Sequence, residues 1–172
     1  MSSNIPSTPA DGNILTVLVP AIALPDRPTI TEVTGIATAI ISCYLTRDGF
    51  ALTTDQATIT DERECSTQVY GKAGTKTYGL SITGVDNTNT EFALTDNVLA
   101  DTLIEGASMF AVRRRGKAFS DPLLAGDLVS VIPFDVGVKS EVPPEANSVL
   151  RSTWNCFVSG DVLVDVAILA GP

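Results

Sequence analysis

Apolar and polar residues alternate along most of this chain with a period of two. Thr77 to Val85 is the clearest case. Tyr78, Leu80 and Ile82 fall on one face, and Thr77, Ser81 and Thr83 fall on the other. That spacing predicts a strand with one buried and one polar face. Similar runs predict strands over Ile14–Val19, Thr38–Thr46, Ser108–Arg114, Leu128–Ser140, Val149–Val158 and Val162–Leu169, with Thr58–Thr60 as a short edge strand. Within Val149–Val158 the expected core face is Leu150, Trp154, Cys156 and Val158, leaving Arg151, Thr153 and Asn155 outward. In the last strand Val162, Val164 and Val166 are expected inward and Asp165 outward. Asp127 and Asp135 share a face of the long strand with Val129 and Val131, which implies partial cover on both sides. Pro133 marks a bulge or an edge within it.

Punctuation falls between the runs. Arg47-Asp-Gly is a turn signal and is expected to stop the second strand. Gly71-Lys-Ala-Gly-Thr-Lys reads as a flexible basic loop. Ser159-Gly160-Asp161 reads as the loop of a hairpin joining the last two strands. One segment has helical spacing instead. Thr88 and Glu91 form a capping-box pattern, and Phe92, Leu94, Val98, Leu99 and Leu103 follow before Gly106, predicting a helix near 90–105. The sum is a mainly β chain, an antiparallel β-sandwich or partly open barrel with one flanking α-helix. Met1–Asn13 is a polar arm with two prolines, expected to be flexible, and 14–172 reads as a single β domain.

Composition narrows the function classes. Hydrophobic residues make up 44% of the 172 positions and charged ones 18%, which favours a folded domain with a substantial core. The net charge of −9 disfavours docking on a DNA backbone, which needs clustered cations. Three cysteines, Cys43, Cys65 and Cys156, fit neither a disulfide framework nor a zinc spacing. Cys43 and Cys156 sit in strand-like runs and are expected to be small core residues in a reducing setting. The N-terminal stretch has no basic segment leading into an apolar run, so no leader is expected. No stretch of about 18 apolar residues predicts a membrane span.

Chemistry is sparse. The chain has no histidine, which excludes serine–histidine and cysteine–histidine catalytic arrangements and histidine metal sites. No phosphate-binding glycine motif occurs. Asp61, Glu62 and Glu64 are the densest carboxylates, but Arg63 sits among them and a solvated loop explains them better than an acid/base pair. Asp86-Asn-Thr-Asn-Thr-Glu lacks the glycine and distal glutamate of a calcium loop, and a helix cap explains it better. No catalytic residue, cofactor or metal is expected. Arg113-Arg-Arg115 is the one basic cluster, with Arg114 on the face opposite its neighbours.

Three motifs carry a resemblance. They are Cys43-Tyr-Leu-Thr-Arg-Asp-Gly-Phe50, Ile59-Thr-Asp-Glu-Arg-Glu-Cys-Ser-Thr-Gln68 and Pro143-Pro-Glu-Ala-Asn-Ser-Val-Leu-Arg151. In order and spacing the chain from Ser42 onward resembles the major tail tube proteins of long, non-contractile-tailed bacteriophages, especially those infecting actinobacteria. The first 40 residues carry no such signal. The resemblance implies a virion tail protein made in the host cytoplasm, forming rings, generally hexameric, that stack into a tube for genome delivery. It implies self-association, contacts with other tail proteins at the tube ends, DNA passing without specific binding, and no membrane partner. A receptor-binding or adhesive virion domain is the alternative. Under the tube reading, Ser81, Thr83, Asp135, Thr153, Asn155 and Asp165 are expected to face the lumen. Asp61, Glu62, Arg63, Glu64, Lys72, Lys76, Arg113 and Arg115 are the expected subunit-interface residues.

Overall fold

A computed structural model describes residues 5–171. The described residues form eight strands and two one-turn helices: β1 Ile14–Val19, α1 Ile30–Val33, β2 Ala39–Ile40, β3 Leu45–Asp61, β4 Tyr70–Val85, α2 Val98–Thr102, β5 Ser108–Arg115, β6 Leu128–Glu141, β7 Arg151–Val158 and β8 Leu163–Ala167. They build one antiparallel sheet in the order β2-β1-β5-β6-β7-β4-β3, with β8 beside β6. The sheet curls into a half-barrel. Ile41, after β2, and Tyr44 and Leu45, before and in β3, reach the same core although their strands lie at opposite ends of the order.

β6 organises the molecule. β5 pairs with one edge of it, while β7 and β8 share the other edge end to end. In its first half both faces are covered, so buried residues fall at both parities. Ile132, Phe134 and Val136 join the inner core with Trp154, Ile82 and Leu99. Val129 and Val131 join a second core on the opposite face with Val17, Val33 and Ile168. Loops and α1 close that second core. Glu32 fixes α1, its carboxylate accepting the Thr29 N–H at 2.9 Å and the Ala23 N–H at 2.8 Å.

β1 and the strand runs over 108–115 and 128–141 lie where alternation put them. Four expectations are corrected. Asp48-Gly49 does not stop a strand. β3 runs through it with a bulge between Leu45 and Phe50. Glycine is needed there for room, since a Cβ on Gly49 would stand 2.0 Å from the Thr83 carbonyl oxygen. Gly71–Lys76 is likewise not a loop but part of β4, paired with β3 except at a register shift by Gly74 and Thr75. Thr58–Thr60 is not a separate short strand but the part of β3 next to the hairpin tip. The last two strands form no hairpin: the chain crosses at 159–162 and β8 pairs with the Leu128–Val131 end of β6.

The expected helix contracts to α2. Asp86 captures the Thr88 cap, its Oδ1 accepting the Thr88 hydroxyl at 2.6 Å and the Thr88 N–H at 3.1 Å. Asn89 then takes a positive φ of 64° and the chain proceeds by turns to Asn97. Leu99 and Leu103 still enter the core, while Leu94 is fully exposed. Cys156 is buried as expected, but Cys43 is exposed, because the chain turns at 42–44 instead of continuing the strand.

In the N-terminal arm, 1–4 lie outside the described residues, and 5–12 are exposed. Its described part is tied to the body near its end: Asp11 accepts from Arg47 at 2.8 Å, the Phe119 N–H donates to the Gly12 carbonyl at 2.7 Å and the Gly116 N–H to the Asn13 carbonyl at 2.9 Å. No helix among the described residues is long and apolar enough to cross a membrane.

Candidate functional site

Three surfaces hold the residues singled out from the sequence. The first is a polar face of the sheet. Ser81 of β4 lies opposite Asn155 of β7, and Thr83 opposite Thr153. The Thr83 and Thr153 hydroxyls share a hydrogen bond of 2.7 Å. On β6 next door, Asp135 lies opposite Phe157 and accepts the Ser108 hydroxyl at 2.6 Å. Five of the six expected lumen residues therefore share one uncovered patch across β4, β7 and β6. Phe157, 67% exposed, interrupts it with apolar surface. Arg151 sits at its border, 3.6 Å from the Glu145 carboxylate. Asp165 stands apart on β8, at a φ of 58°. That kink breaks the alternation. Val162 and Val166 are half-buried, but Val164 is 56% exposed and not inward as expected. Leu150 is also misjudged: it is exposed, and Ser152 takes the next core-facing position, fully buried.

Ser152 belongs to a polar cluster that the sequence did not announce. Its hydroxyl donates to Asp86 Oδ2 at 2.6 Å, beside the Lys139 ammonium at 2.6 Å. Burial pushes the Asp86 carboxyl up, but the Lys139, Ser152 and Thr88 hydrogen bonds outweigh it and hold it far below the usual carboxylate range. Lys139 also lies over the Trp154 ring, 5.4 Å from its centroid. A bulge between Val136 and Lys139 turns that lysine inward. Alternation could not reveal it.

The second surface is the outer half of the β3–β4 hairpin. The last β4–β7 pair is Leu80↔Cys156. Beyond it, from Thr53↔Gly79 to Asp61↔Tyr70, two strands pair only with each other. Nearly every side chain on both faces is exposed. At the tip, Asp61 accepts from Arg63 at 2.9 Å and from Lys72 at 2.8 Å. Those bonds, Arg63 foremost, hold the Asp61 carboxyl below its ordinary range. Glu62, Glu64 and Lys76 are exposed and make no ion pair among the described residues.

The third surface is the arginine run of β5, whose members differ sharply. Arg114 is buried and clamps the loop before β6. It donates to the carbonyls of Ala118 at 2.7 Å, Asp121 at 2.8 Å and Pro122 at 2.8 Å, and to Asp127 at 3.2 Å. Asp127 also accepts Lys117 and the Leu124 N–H. Burial pushes its carboxyl up, but these bonds, Lys117 first, win and lower it. The opposite-face reading of Arg114 held, and its burial with Asp127 was missed. Arg113 lies half-buried over the Phe50 ring at 4.7 Å. Arg115 is exposed.

No group of three acidic or thiol side chains among the described residues is placed to hold a metal. No curated protein sequence matches the chain. Among solved structures it is similar to a chain in the cryo-EM structure of the anti-feeding prophage baseplate, six-fold symmetrised. That likeness has a TM-score of 0.54 at 15% identity, covering 91% of this chain and 95% of the other. At that identity it speaks to the fold alone. The profile described as "Phage tail tube protein" matches residues 1–171, including the first 40 residues that carried no sequence signal. This chain belongs to the phage tail tube protein family and is a structural component of the virion tail.

Proposed function

We propose that the subunit closes head-to-tail into rings, six to a ring, and that the rings stack into a tube enclosing a channel for genome delivery. The observation that carries this is the hairpin. A two-stranded ribbon with both faces in water is marginal alone, and an edge with free backbone groups invites pairing. Its stable setting is a neighbouring subunit. A contact between two different surfaces of one chain is heterologous, and such contacts close into rings or run on as filaments. The similar baseplate particle is six-fold symmetrised, and six is the ring order adopted here.

The polar patch is the proposed bore lining. Ser81, Thr83, Thr153 and Asn155 carry no charge, and Asp135 is acidic. Such a wall gives phosphates nothing to hold and, in a chain of net charge −9, repels them. Asp165 lies off this patch, and the assignment rests on the other five. DNA then passes without specific binding, and the protein's role is structural, not enzymatic. Subunits made in the host cytoplasm assemble on other tail proteins that cap the tube.

Electron microscopy of the purified protein tests the reading, with stacked rings expected. A variant in which residues 57–75, beyond the Gln56↔Lys76 pair, are replaced by Asn-Gly keeps the register and supplies a compatible turn. It should fold and yield no tubes. Dispersed particles from the unmodified chain, or normal tubes from the shortened one, would sink the proposal. A reconstruction with Thr153 on the outer wall would remove the bore assignment alone.

A further inference from the structure

A cleft of about 570 Å³ opens at the root of the β3–β4 hairpin, between the start of β3 and the β1–β5 pair. Thr16, Ser42, Cys43, Arg47, Phe50 and Arg113 are among its walls. Two residues of its wall, Thr16 and Arg113, carry buried polar atoms with no partner among the described residues, Oγ1 and Nε; Arg114 Nε and Trp154 Nε1 are the same elsewhere. Thr16 is completely buried. Orphaned groups of this kind are uncommon in folded proteins and call for a partner. Arg113 is the informative one. The other buried charges, Arg114, Asp127 and Asp86, all have ion partners, whereas Arg113 makes no ion pair among the described residues. Burial, with the nearby Arg115 charge, already pulls its guanidinium below the ordinary arginine value. A half-buried guanidinium with a free donor is a carboxylate receptor in want of a carboxylate.

The cleft's rim limits what can deliver one. Arg47 is engaged by Asp11 at 2.8 Å, and exposed Asp48 adds negative charge at the mouth. A flat acidic surface is repelled there. Only a projecting element can carry a carboxylate past the rim to Arg113. The hairpin tip projects, and it offers Glu62 and Glu64 without ion partners, next to exposed Val69 and Tyr70 that match the cleft's Phe50 and Phe119. The chain cannot serve itself. β3 alone is 17 residues long, so tip and root lie about 50 Å apart along the strand.

We infer that the cleft at the hairpin root is the socket for the acidic hairpin tip of a second copy, with Glu62 or Glu64 reaching Arg113. This rests on the tube reading and names the partner surface of its hairpin. Tip and root are opposite ends of one element, so each copy that inserts its tip still presents an empty socket. The contact propagates.

The chain carries its own reporter. Cys43 lines the cleft and Cys65 sits at the tip, both free and exposed. The third thiol, Cys156, is buried, and burial pushes it up to about 11, which keeps it inert. A Cys43–Cys65 bridge must therefore be intermolecular, since bridging needs Cα atoms within about 7 Å. Purified tubes would be treated with diamide, or with a short bis-maleimide, and resolved on a denaturing gel without reductant. The expected result is a ladder of subunit multiples, with the 43–65 linkage identified by peptide mass spectrometry. Cys43→Ser or Cys65→Ser alone should collapse it to monomer. Glu62→Gln with Glu64→Gln should lower the cross-linking yield at least ten-fold. Tubes that give no 43–65 linkage with either reagent, or a 65–65 linkage, would overturn the socket and leave the tube reading standing. An undiminished yield in the Gln variant would overturn the carboxylate contact. Failure of the unmodified chain to form rings or tubes would sink both readings.

Discussion

β6 and the outer half of β3 are both long strands, yet they sit in opposite environments. Between Val129 and Phe134 β6 has partners on both edges and cover on both faces, with Phe134 and Val131 completely enclosed. Outer β3 is paired on one edge and exposed on both faces, with Ile59 at 56% exposure. The first is a strand made by its own chain's packing. The second has backbone pairing but almost no burial to offset the entropy of ordering it. The difference teaches where the free subunit's stability resides and why the hairpin is the surface proposed for assembly.

The largest contrast comes from truncating one apolar residue in each region. Phe134→Ala empties a closed core position and is expected to cost about 3–5 kcal/mol. Ile59→Ala should stay within about 0.5 kcal/mol, as exposed substitutions do. Urea unfolding of the free subunit measures both. Tube growth should respond to Ile59→Ala all the same. Equal losses of stability would mean that the hairpin is held by the body after all.

Next in size is the arginine pair. Arg114→Met leaves the Ala118, Asp121 and Pro122 carbonyls without their donor and Asp127 with Lys117 as its remaining cation, and should cost about 3–5 kcal/mol. Arg115→Ala, one residue along, should cost under about 0.5 kcal/mol. Thermal unfolding separates the two. A small effect of Arg114→Met would show that the 118–122 carbonyls and Asp127 find other donors.

Much of the body was legible in the sequence because burial there writes a period-two pattern. Ile14–Val19 and the 108–115 and 128–141 runs needed no further information. The hairpin left no such pattern, since neither face is buried. Its threonines, glycines and lysines therefore read as loop, and Asp48-Gly49 read as a stop when it is a bulge. The helix near 90–105 failed for a different reason. Thr88 had a nearer acceptor in Asp86, a competition that spacing cannot reveal. The polar patch was legible by parity, strand by strand, until the positive φ at Asp165. The Arg113 cleft was not, because three segments distant in sequence build it.

A smaller effect concerns acid. Asp86 and Asp127 are held below the ordinary aspartate value of 3.8 in the folded chain. A depressed folded pKa contributes stability that is full above the unfolded value and is lost as pH falls through it toward the folded one. The body should therefore weaken steadily below about pH 5. Ser152→Ala removes one donor to Asp86 and should cost about 1.5–3 kcal/mol at pH 7, a difference that narrows only as pH falls through the folded Asp86 value, well below 3.8. At the hairpin tip Arg63→Ala should move the acid profile of unfolding far less, because Arg63 is exposed and solvent screens the pair. Parallel profiles for wild type and Ser152→Ala would remove Asp86 from the explanation.

The smallest effect on stability is expected in the N-terminal arm, which shares the hairpin's exposure without its strand pairing. Its anchors begin at Asp11, paired with Arg47, and continue at Gly12 and Asn13, whose carbonyls accept from Phe119 and Gly116. Ile5 is 81% exposed, so the stretch before the anchors has little to bury on its own chain. Removing residues 1–9 should change unfolding of the free subunit by less than about 0.5 kcal/mol. Protection should depend on assembly instead. A broad-specificity protease should cut within 5–10 quickly in the free subunit and at least ten-fold more slowly in the tube, where a neighbouring ring orders the arm. Cleavage at the same rate in both states would place the arm outside the assembly contacts and leave the hairpin as the element that meets a neighbour.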